Sequence, residues 1–214
     1  MGLVSGGDCF GWAGPLVSRE GPFYGIKLYP RLGYTPAQVE DIGLFDWCAR
    51  NGIPITYHCN ETGFPPWPGE WKWSANGDPA LWAPYLRKYR NVNGGLRVDF
   101  AHFGDARPAW RSTIASYASN LLSRYGSNVY TDIACFVHPE SLERAKAAYD
   151  RRVRSVKGKL LFGTDYDIML LVGDLELEAY YNQYKSIFKD DASHHYSEDM
   201  MSKAPRAFLN AQGV

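Results

Sequence analysis

Short apolar runs alternate with longer amphipathic segments along most of the chain. The runs have the length and residue content of strands, and the segments between them repeat their apolar positions with helical spacing. The predicted strands cover residues 25–29, 53–58, 96–102, 129–133 and 160–164. Such an alternation predicts parallel strands joined by crossover helices, and so an α/β fold.

The segments between the strands carry helix start and stop signals. Thr35 precedes Pro36, and Gly52 follows the last apolar turn, so a helix is predicted from 36 to about 51. The other predicted helices cover about 79–89, 110–125, 139–156, 175–188 and 196–210. Residues 1–24 are rich in glycine and are predicted to be irregular.

Composition narrows the class of protein. With 214 residues, 45% of them hydrophobic and 21% charged, we expect one soluble domain over 1–214. The sequence lacks an apolar run of about 18 residues and a signal-peptide pattern, so we expect no membrane segment and a cytoplasmic location. The four cysteines form no CxxC pair, which argues against a zinc finger and favours reduced thiols.

Charge argues against a nucleic-acid partner, because the formal net charge is zero. One basic cluster occurs at the predicted end of the helix over 139–156, where cations stabilise the helix dipole. Its members are Arg151, Arg152, Arg154, Lys157 and Lys159. We therefore expect this cluster to serve the helix end.

Three side chains that commonly bind metal ions stand at the ends of predicted strands. His58 ends the second strand, His102 ends the third, and Asp165 follows the fifth. Because barrels assemble their active sites at the C-terminal ends of strands, we expect these side chains to share one site. Imidazole and carboxylate ligands suit zinc or a similar divalent ion, which activates water while an aspartate acts as general base.

The alternation of side chains within strands adds two candidate pocket residues. Thr56 shares a face with His58, and Lys27 lies between two outward-facing aliphatic residues, so Lys27 is predicted to point inward. An inward lysine needs a charged neighbour, and pairing with a nearby aspartate is the alternative to a site role. Asp132, near the end of the fourth strand, is the second candidate.

Each candidate also has a plain structural interpretation. A buried histidine is often only hydrogen-bonded, and Asp165 can be a turn residue, with Asp167 as the competing carboxylate. Cys59 has no adjacent base and is not expected to be a nucleophile. The long loop over 60–80 either covers a substrate or only packs over the barrel mouth. Its tryptophans are Trp67, Trp71 and Trp73.

Five internal stretches and the C-terminal end carry a family resemblance. The stretches are GIKLYPRLGYTP, GIPITYHCNETG, LRVDFAHFG, VYTDIACF and LLFGTDYD, with KAPRAFL near the end. Over about residues 25–212 the chain resembles the amidohydrolase superfamily, in its branch of amidohydrolase-related hydrolases and non-oxidative decarboxylases. The resemblance implies a TIM-type (β/α)8 barrel and a divalent metal ion, with zinc favoured.

The resemblance also implies roles for individual residues. His58 matches a metal ligand on the family's fifth strand, and His102 matches a histidine on the sixth that binds metal or polarises substrate. Asp165 matches the eighth-strand aspartate that binds metal and acts as general base. Lys27 falls on the fourth strand, where some members carry a carboxylated, metal-bridging lysine.

The chain departs from the family in its histidines. The family's first strand carries His-x-His, which supplies two further ligands, and this chain has no such pair. Its histidines are His58, His102, His138, His194 and His195. Because the first predicted strand matches the family's fourth, we expect a partial barrel that lacks the first strands. Its open edges and exposed interior would favour a homo-oligomer or a complementing chain.

These observations predict a metal-dependent hydrolase that acts on a carbonyl-containing small molecule. Two alternatives stay open: a non-oxidative decarboxylase at the same site, and an inactive remnant or subunit that needs a partner chain. A nucleotide-binding doubly wound domain also fits the alternation of elements. It is disfavoured because no glycine-rich phosphate loop follows a strand.

Overall fold

Five parallel strands form one sheet in the order β1-β2-β3-β4-β5. The strands are Ile26–Leu28 (β1), Ile55–His58 (β2), Val98–Ala101 (β3), Val129–Asp132 (β4) and Leu160–Leu161 (β5). The computed structural model describes residues 16–18, 21–60, 74–104, 107–119, 128–136, 138–165 and 176–209. In these ranges β1 and β5 do not pair, so the sheet is open. The α/β class is confirmed, and the closed barrel stays a prediction.

Helices connect the strands and follow the last one. They are α1 (Pro36–Asp41), α2 (Leu44–Asn51), α3 (Ala83–Tyr89), α4 (Pro108–Ala118), α5 (Pro139–Tyr149), α6 (Leu177–Ile187), α7 (Tyr196–Glu198) and α8 (Ala204–Phe208). A π-helical turn over Asp199–Lys203 joins α7 to α8. Short 3-10 turns cover Pro30–Leu32, Ser74–Gly77 and Pro79–Trp82. In the part of the chain that the structure describes, no helix has the length and apolarity needed to cross a bilayer.

The helix predicted from 36 to about 51 is two helices. Its start is confirmed, because the Thr35 side chain and Gln38 form a capping box. Its end is confirmed as well, since Gly52 caps α2 with a left-handed φ of 65°. Between them Gly43 has a φ of 79°, which breaks the helical path. Glycine adopts this conformation without the steric cost that a Cβ brings, and this explains why the apolar pattern alone missed the break.

The helix predicted over 139–156 was too long, because α5 ends at Tyr149. Lys146 is the basic residue of its last turn. The predicted basic cluster instead lies in the loop between α5 and β5, where Arg154 and Gly158 have left-handed φ values of 54° and 69°. The proposed role of that cluster at the helix end is therefore wrong. The helix predicted from Trp110 begins at Pro108 and ends at Ala118, and residues 120–127 lie outside the described ranges.

The sheet has one apolar face and one polar face. Side chains of the apolar face pack into the main core and are fully buried: Ile55, Tyr57, Val98, Phe100, Val129 and Leu160. On the opposite face, Lys27 of β1, Thr56 of β2 and Asp99 of β3 lie in one row of paired residues. Asp132 lies two positions beyond Tyr130, the partner of Asp99 on β4, and so shares that face.

The C-terminal helix covers part of the polar face. Ala204 and Phe208 of α8 pack on Tyr130 and Leu161 in a small separate cluster. Because Tyr130 precedes Asp132 on β4, this cluster lies toward the start of the strand. His58 and Asp132, which lie nearer the C-terminal ends of the strands, are not members of this cluster.

Candidate functional site

His58 and His102 lie side by side at the C-terminal ends of two paired strands. His58 is the last residue of β2, and His102 directly follows β3. Nδ1 of His58 is 3.2 Å from Nε2 of His102, and the ring centroids are 4.9 Å apart. Both residues are buried, and the Tyr29 ring packs on His58 at 4.4 Å. The structure thus brings together two of the three predicted ligands.

The tautomer of His102 is set by Ala134, in the turn that follows β4. Its Nδ1 lies 3.0 Å from the carbonyl oxygen of Ala134. A carbonyl oxygen only accepts hydrogen bonds, so Nδ1 carries a proton, and in the neutral form of the ring Nε2 presents its lone pair toward His58. Histidines that bind metals are commonly held in this way, with the second ring nitrogen bound to a carbonyl or carboxylate.

The backbone that carries His102 follows a left-handed path. His102, Phe103 and Gly104 have φ values of 64°, 45° and 68°. For a residue with a Cβ this conformation costs about 1–2 kcal/mol, so neighbouring groups must hold it. Asp132 supplies that support, because its Oδ1 accepts the backbone N–H groups of His102 at 2.8 Å and of Ala134 at 3.0 Å. Asp132, predicted as a pocket residue, therefore touches the backbone of the histidine site.

The spacing of the two imidazoles suits a metal ion. Two nitrogen ligands of a tetrahedral zinc ion lie about 3.3 Å apart, given Zn–N bonds of about 2.0–2.1 Å. The separation of 3.2 Å between Nδ1 of His58 and Nε2 of His102 is close to that value. Among the residues that the structure describes, no three His, Cys, Asp or Glu side chains are grouped as a metal site. The same 3.2 Å is also a hydrogen-bond distance between the two rings, and a metal ion held by them stays a prediction.

Asp165 is not grouped with the two histidines. It follows β5, is exposed and has a left-handed φ of 53°. The pairing of β5 ends at Leu161, and the N–H of Phe162 donates to Met200 instead of to a strand. The regular strand therefore ends before Asp165. Because side chains alternate between the two faces only within a strand, this alternation does not tell which way the Asp165 side chain points. Its role as ligand and base stays a prediction.

Lys27 is exposed on the polar face, and its charge acts on Asp99. Pairing with an aspartate was the predicted alternative to a metal-site role for this lysine. The structure supplies such an aspartate, and a role for Lys27 at the site stays a prediction.

Asp99 is a site residue that the sequence interpretation missed. It is 3% exposed, it lies close enough to Asp132 and Thr56 to be influenced by both, and its Oδ1 has no hydrogen-bond partner. Burial raises the pKa of Asp99 well above its usual value, and the neighbouring Asp132 raises this pKa further. The available signal was an acidic residue within the apolar run 96–102.

Cys59 does not extend the site. Its side chain is fully buried, and burial raises the pKa of the thiol well above its usual value. A thiol that stays protonated is a poor nucleophile, as expected from the sequence. Asp167 and the tryptophans Trp67, Trp71 and Trp73 lie outside the described residues.

Comparisons with known proteins identify no relative. No family model matches the chain, and no curated protein or solved structure shows significant similarity to it. The geometry of the site is therefore the basis for its proposed function.

Proposed function

We propose that the chain is a metal-dependent hydrolase of the amidohydrolase type that acts on a carbonyl-containing small molecule. One observation carries the proposal. Nε2 of His102, with its tautomer set by the Ala134 carbonyl, faces Nδ1 of His58 at 3.2 Å at the ends of adjacent parallel strands. This end of the strands is where barrel enzymes assemble their chemistry.

In this proposal the two histidines hold a divalent ion, with zinc favoured by the nitrogen ligands and their spacing. The ion would lower the pKa of a water molecule so that it attacks a carbonyl carbon near neutral pH. Asp165 is proposed to complete the ligand set and to take the proton of that water. The Ala134 carbonyl and the Asp132 carboxylate keep the His102 ring and backbone in place.

The proposed architecture is strands four to eight of a (β/α)8 barrel. The positions of His58 and His102 at the C-terminal ends of neighbouring parallel strands support it, because barrel enzymes draw their catalytic residues from the ends of several strands. The polar face of the open sheet lies on the same side. That face also favours a second candidate function, a subunit whose site is completed by another copy or by a complementing chain. The exposed Lys27 on the edge strand β1, at one end of the polar row, is the observation behind this candidate.

Zinc binding tests the histidine roles. Metal-free protein would be titrated with zinc by calorimetry, alongside His58→Ala, His102→Ala and the control His195→Ala, whose residue is exposed. We expect each site variant to lose at least about tenfold in zinc affinity and the control to match the parent protein. Equal affinity in all four proteins would reject the proposed site.

Hydrolysis of p-nitrophenyl acetate tests the reaction. We expect zinc-dependent turnover that Asp165→Asn removes even at zinc concentrations that saturate the variant. Zinc binding without hydrolysis of such esters would favour the decarboxylase, which uses the same site. Size-exclusion chromatography with light scattering tests the second candidate, since a well-behaved, zinc-binding monomer would count against an obligate partner chain.

A further inference from the structure

A surface cleft of about 310 Å³ lies at the end of the sheet opposite the two histidines. One of its lining residues, Lys159, directly precedes β5, and another, Ala118, ends the helix that leads to β4. The cleft therefore lies where these strands begin, whereas His58 and His102 stand where strands end. Its polar lining consists of four cationic side chains and two serines: Arg152, Arg154, Lys157, Lys159, Ser119 and Ser155.

The charge of this basic cleft has one sign. Among the described residues that line it, none is Asp or Glu. Within the described ranges, Arg152, Arg154 and Lys157 form no ion pair with a carboxylate. The C-terminal end of α4 faces the cleft, but a helix end carries only about half a negative charge. The fold therefore gathers four cations here and balances only a small part of their charge.

The loop that carries the cations is fixed to the rest of the fold. The Ser155 hydroxyl donates to the Tyr149 carbonyl and accepts the backbone N–H of Lys157. Val156 is fully buried, and its N–H donates to the carbonyl of Ala148. Because the loop is held in this way, little of its backbone has to be ordered when an anion binds, which lowers the entropic cost of binding.

The clustering of cations at this place is unfavourable for the empty fold. Lys159 is partly buried, and burial together with the charge of Arg97 lowers its pKa to about 8. A lysine that is charged at neutral pH therefore destabilises the fold at this position. A bound anion would offset that cost, and this is the physical reason to expect a ligand.

We propose that the basic cleft binds a small molecule that carries two phosphate groups. A phosphate monoester carries a charge of about −1.5 to −2 near neutral pH, so two such groups balance four cations. The planar guanidinium groups of Arg152 and Arg154 can each form paired hydrogen bonds with phosphate oxygens. Small-molecule pockets have volumes of about 300–1,000 Å³, and a cleft at the lower end of that range suits a compact ligand.

Calorimetric titration with pyrophosphate tests the proposal. The protein is metal-free and at low ionic strength, because pyrophosphate chelates zinc and salt screens exposed charges. The variants are Arg152→Gln and Arg154→Gln, with Arg144→Gln as the matched control. Arg144 is also an exposed arginine, but it lines a different cleft between α4 and α5. We expect each cleft variant to lose at least about fivefold in pyrophosphate affinity and the control to match the parent protein.

Three further ligands test the chemical class on the parent protein, so this part of the test needs no variant to fold. Inorganic phosphate and citrate should each bind at least about fivefold more weakly than pyrophosphate, since a lone phosphate has half of the groups and citrate has none. Citrate or phosphate that matches pyrophosphate, an equal loss of affinity in all three variants, or no binding of pyrophosphate would each overturn the proposal.

A DNA duplex is the third ligand. A duplex that binds more tightly than pyrophosphate and loses affinity in the cleft variants would overturn the proposal in favour of a nucleic-acid surface. We expect the duplex to bind more weakly than pyrophosphate. None of these measurements involves the histidine site, so their failure is distinct from failure of the hydrolase proposal.

Discussion

The hydroxyl of Tyr180 lies 2.7 Å from the carbonyl oxygen of Ile133 and 3.0 Å from that of Gly163. Ile133 directly follows β4, and Gly163 follows β5 by two residues. One fully buried side chain of α6 therefore joins the ends of the last two strands. The segment that leads to Asp165 is anchored to the sheet by this contact.

Removing that hydroxyl should destabilise the protein. Tyr180→Phe leaves two carbonyl oxygens without their shared donor, and we expect the free energy of unfolding to fall by about 1–3 kcal/mol. Tyr181→Phe is the matched control, because Tyr181 neighbours it on α6 and is 40% exposed. Urea unfolding of both variants measures the difference. Equal losses would show that the bridge between strand ends contributes nothing.

Two glycines with left-handed φ should respond differently to alanine. Gly43 has open space where a Cβ would lie, so Gly43→Ala should cost about 1 kcal/mol of stability from backbone strain alone. At Gly104 a Cβ would lie 2.7 Å from Cβ of Trp110. Gly104→Ala should therefore cost at least about 3 kcal/mol, since strain and overpacking add. Thermal unfolding of both variants provides the comparison, and similar losses would contradict the close approach of Gly104 to α4.

Lys159 should make stability depend on alkaline pH. Burial and the positive charge of Arg97 lower its pKa from 10.5 to about 8. Between those values the unfolded chain binds more protons at Lys159 than the folded chain does, so its contribution to stability rises with pH. At neutral pH Lys159→Met should raise Tm by about 2–4 °C, which corresponds to about 1 kcal/mol after solvent screening.

The Tm advantage of Lys159→Met should shrink as the pH rises from 8 to 10.5. Lys157→Met is the control, because Lys157 lies exposed in the same loop. Calorimetric scans at several pH values measure the difference. A constant Tm gain across this range would mean that the folded state does not disfavour the charge of Lys159.

The ring of His102 should show one neutral tautomer. Because Nδ1 donates to the Ala134 carbonyl, ¹⁵N NMR of the metal-free protein should find Nδ1 protonated and Nε2 unprotonated at alkaline pH. His195, which is exposed, should show the tautomer mixture of a solvated ring. The same mixture at His102 would remove the orientation on which the proposed site depends.

Periodicity predicted the strand–helix order because it reports which faces are buried. Every predicted strand has its counterpart in the sheet, and the two histidines meet because parallel strands end at the same edge. Local backbone conformation is different, because it depends on single residues. The turn at Gly43 and the end of α5 at Tyr149 leave the apolar pattern of their segments almost unchanged.

The chemistry of Asp99 was hidden for a related reason. In the sequence, Asp99 is a single acidic residue within an apolar strand. Only the folded sheet brings Asp132 of the neighbouring strand close to it. Pairing between strands is set by register, which one strand's sequence does not reveal. The prediction for Asp165 failed to find support for a different reason. Counting alternate residues assigns a side chain to a face of the sheet only within a strand, and β5 ends at Leu161.

The order of the strands bears on how the chain acquires its structure. Among the described strands, each one after β1 pairs with the strand that precedes it along the chain. Paired residues are nevertheless 29 to 43 positions apart, and parallel pairings over such separations form more slowly than local contacts do. The pairing of β2 with β3 is what sets His58 and His102 side by side, so a change that weakens this pairing would separate the two rings.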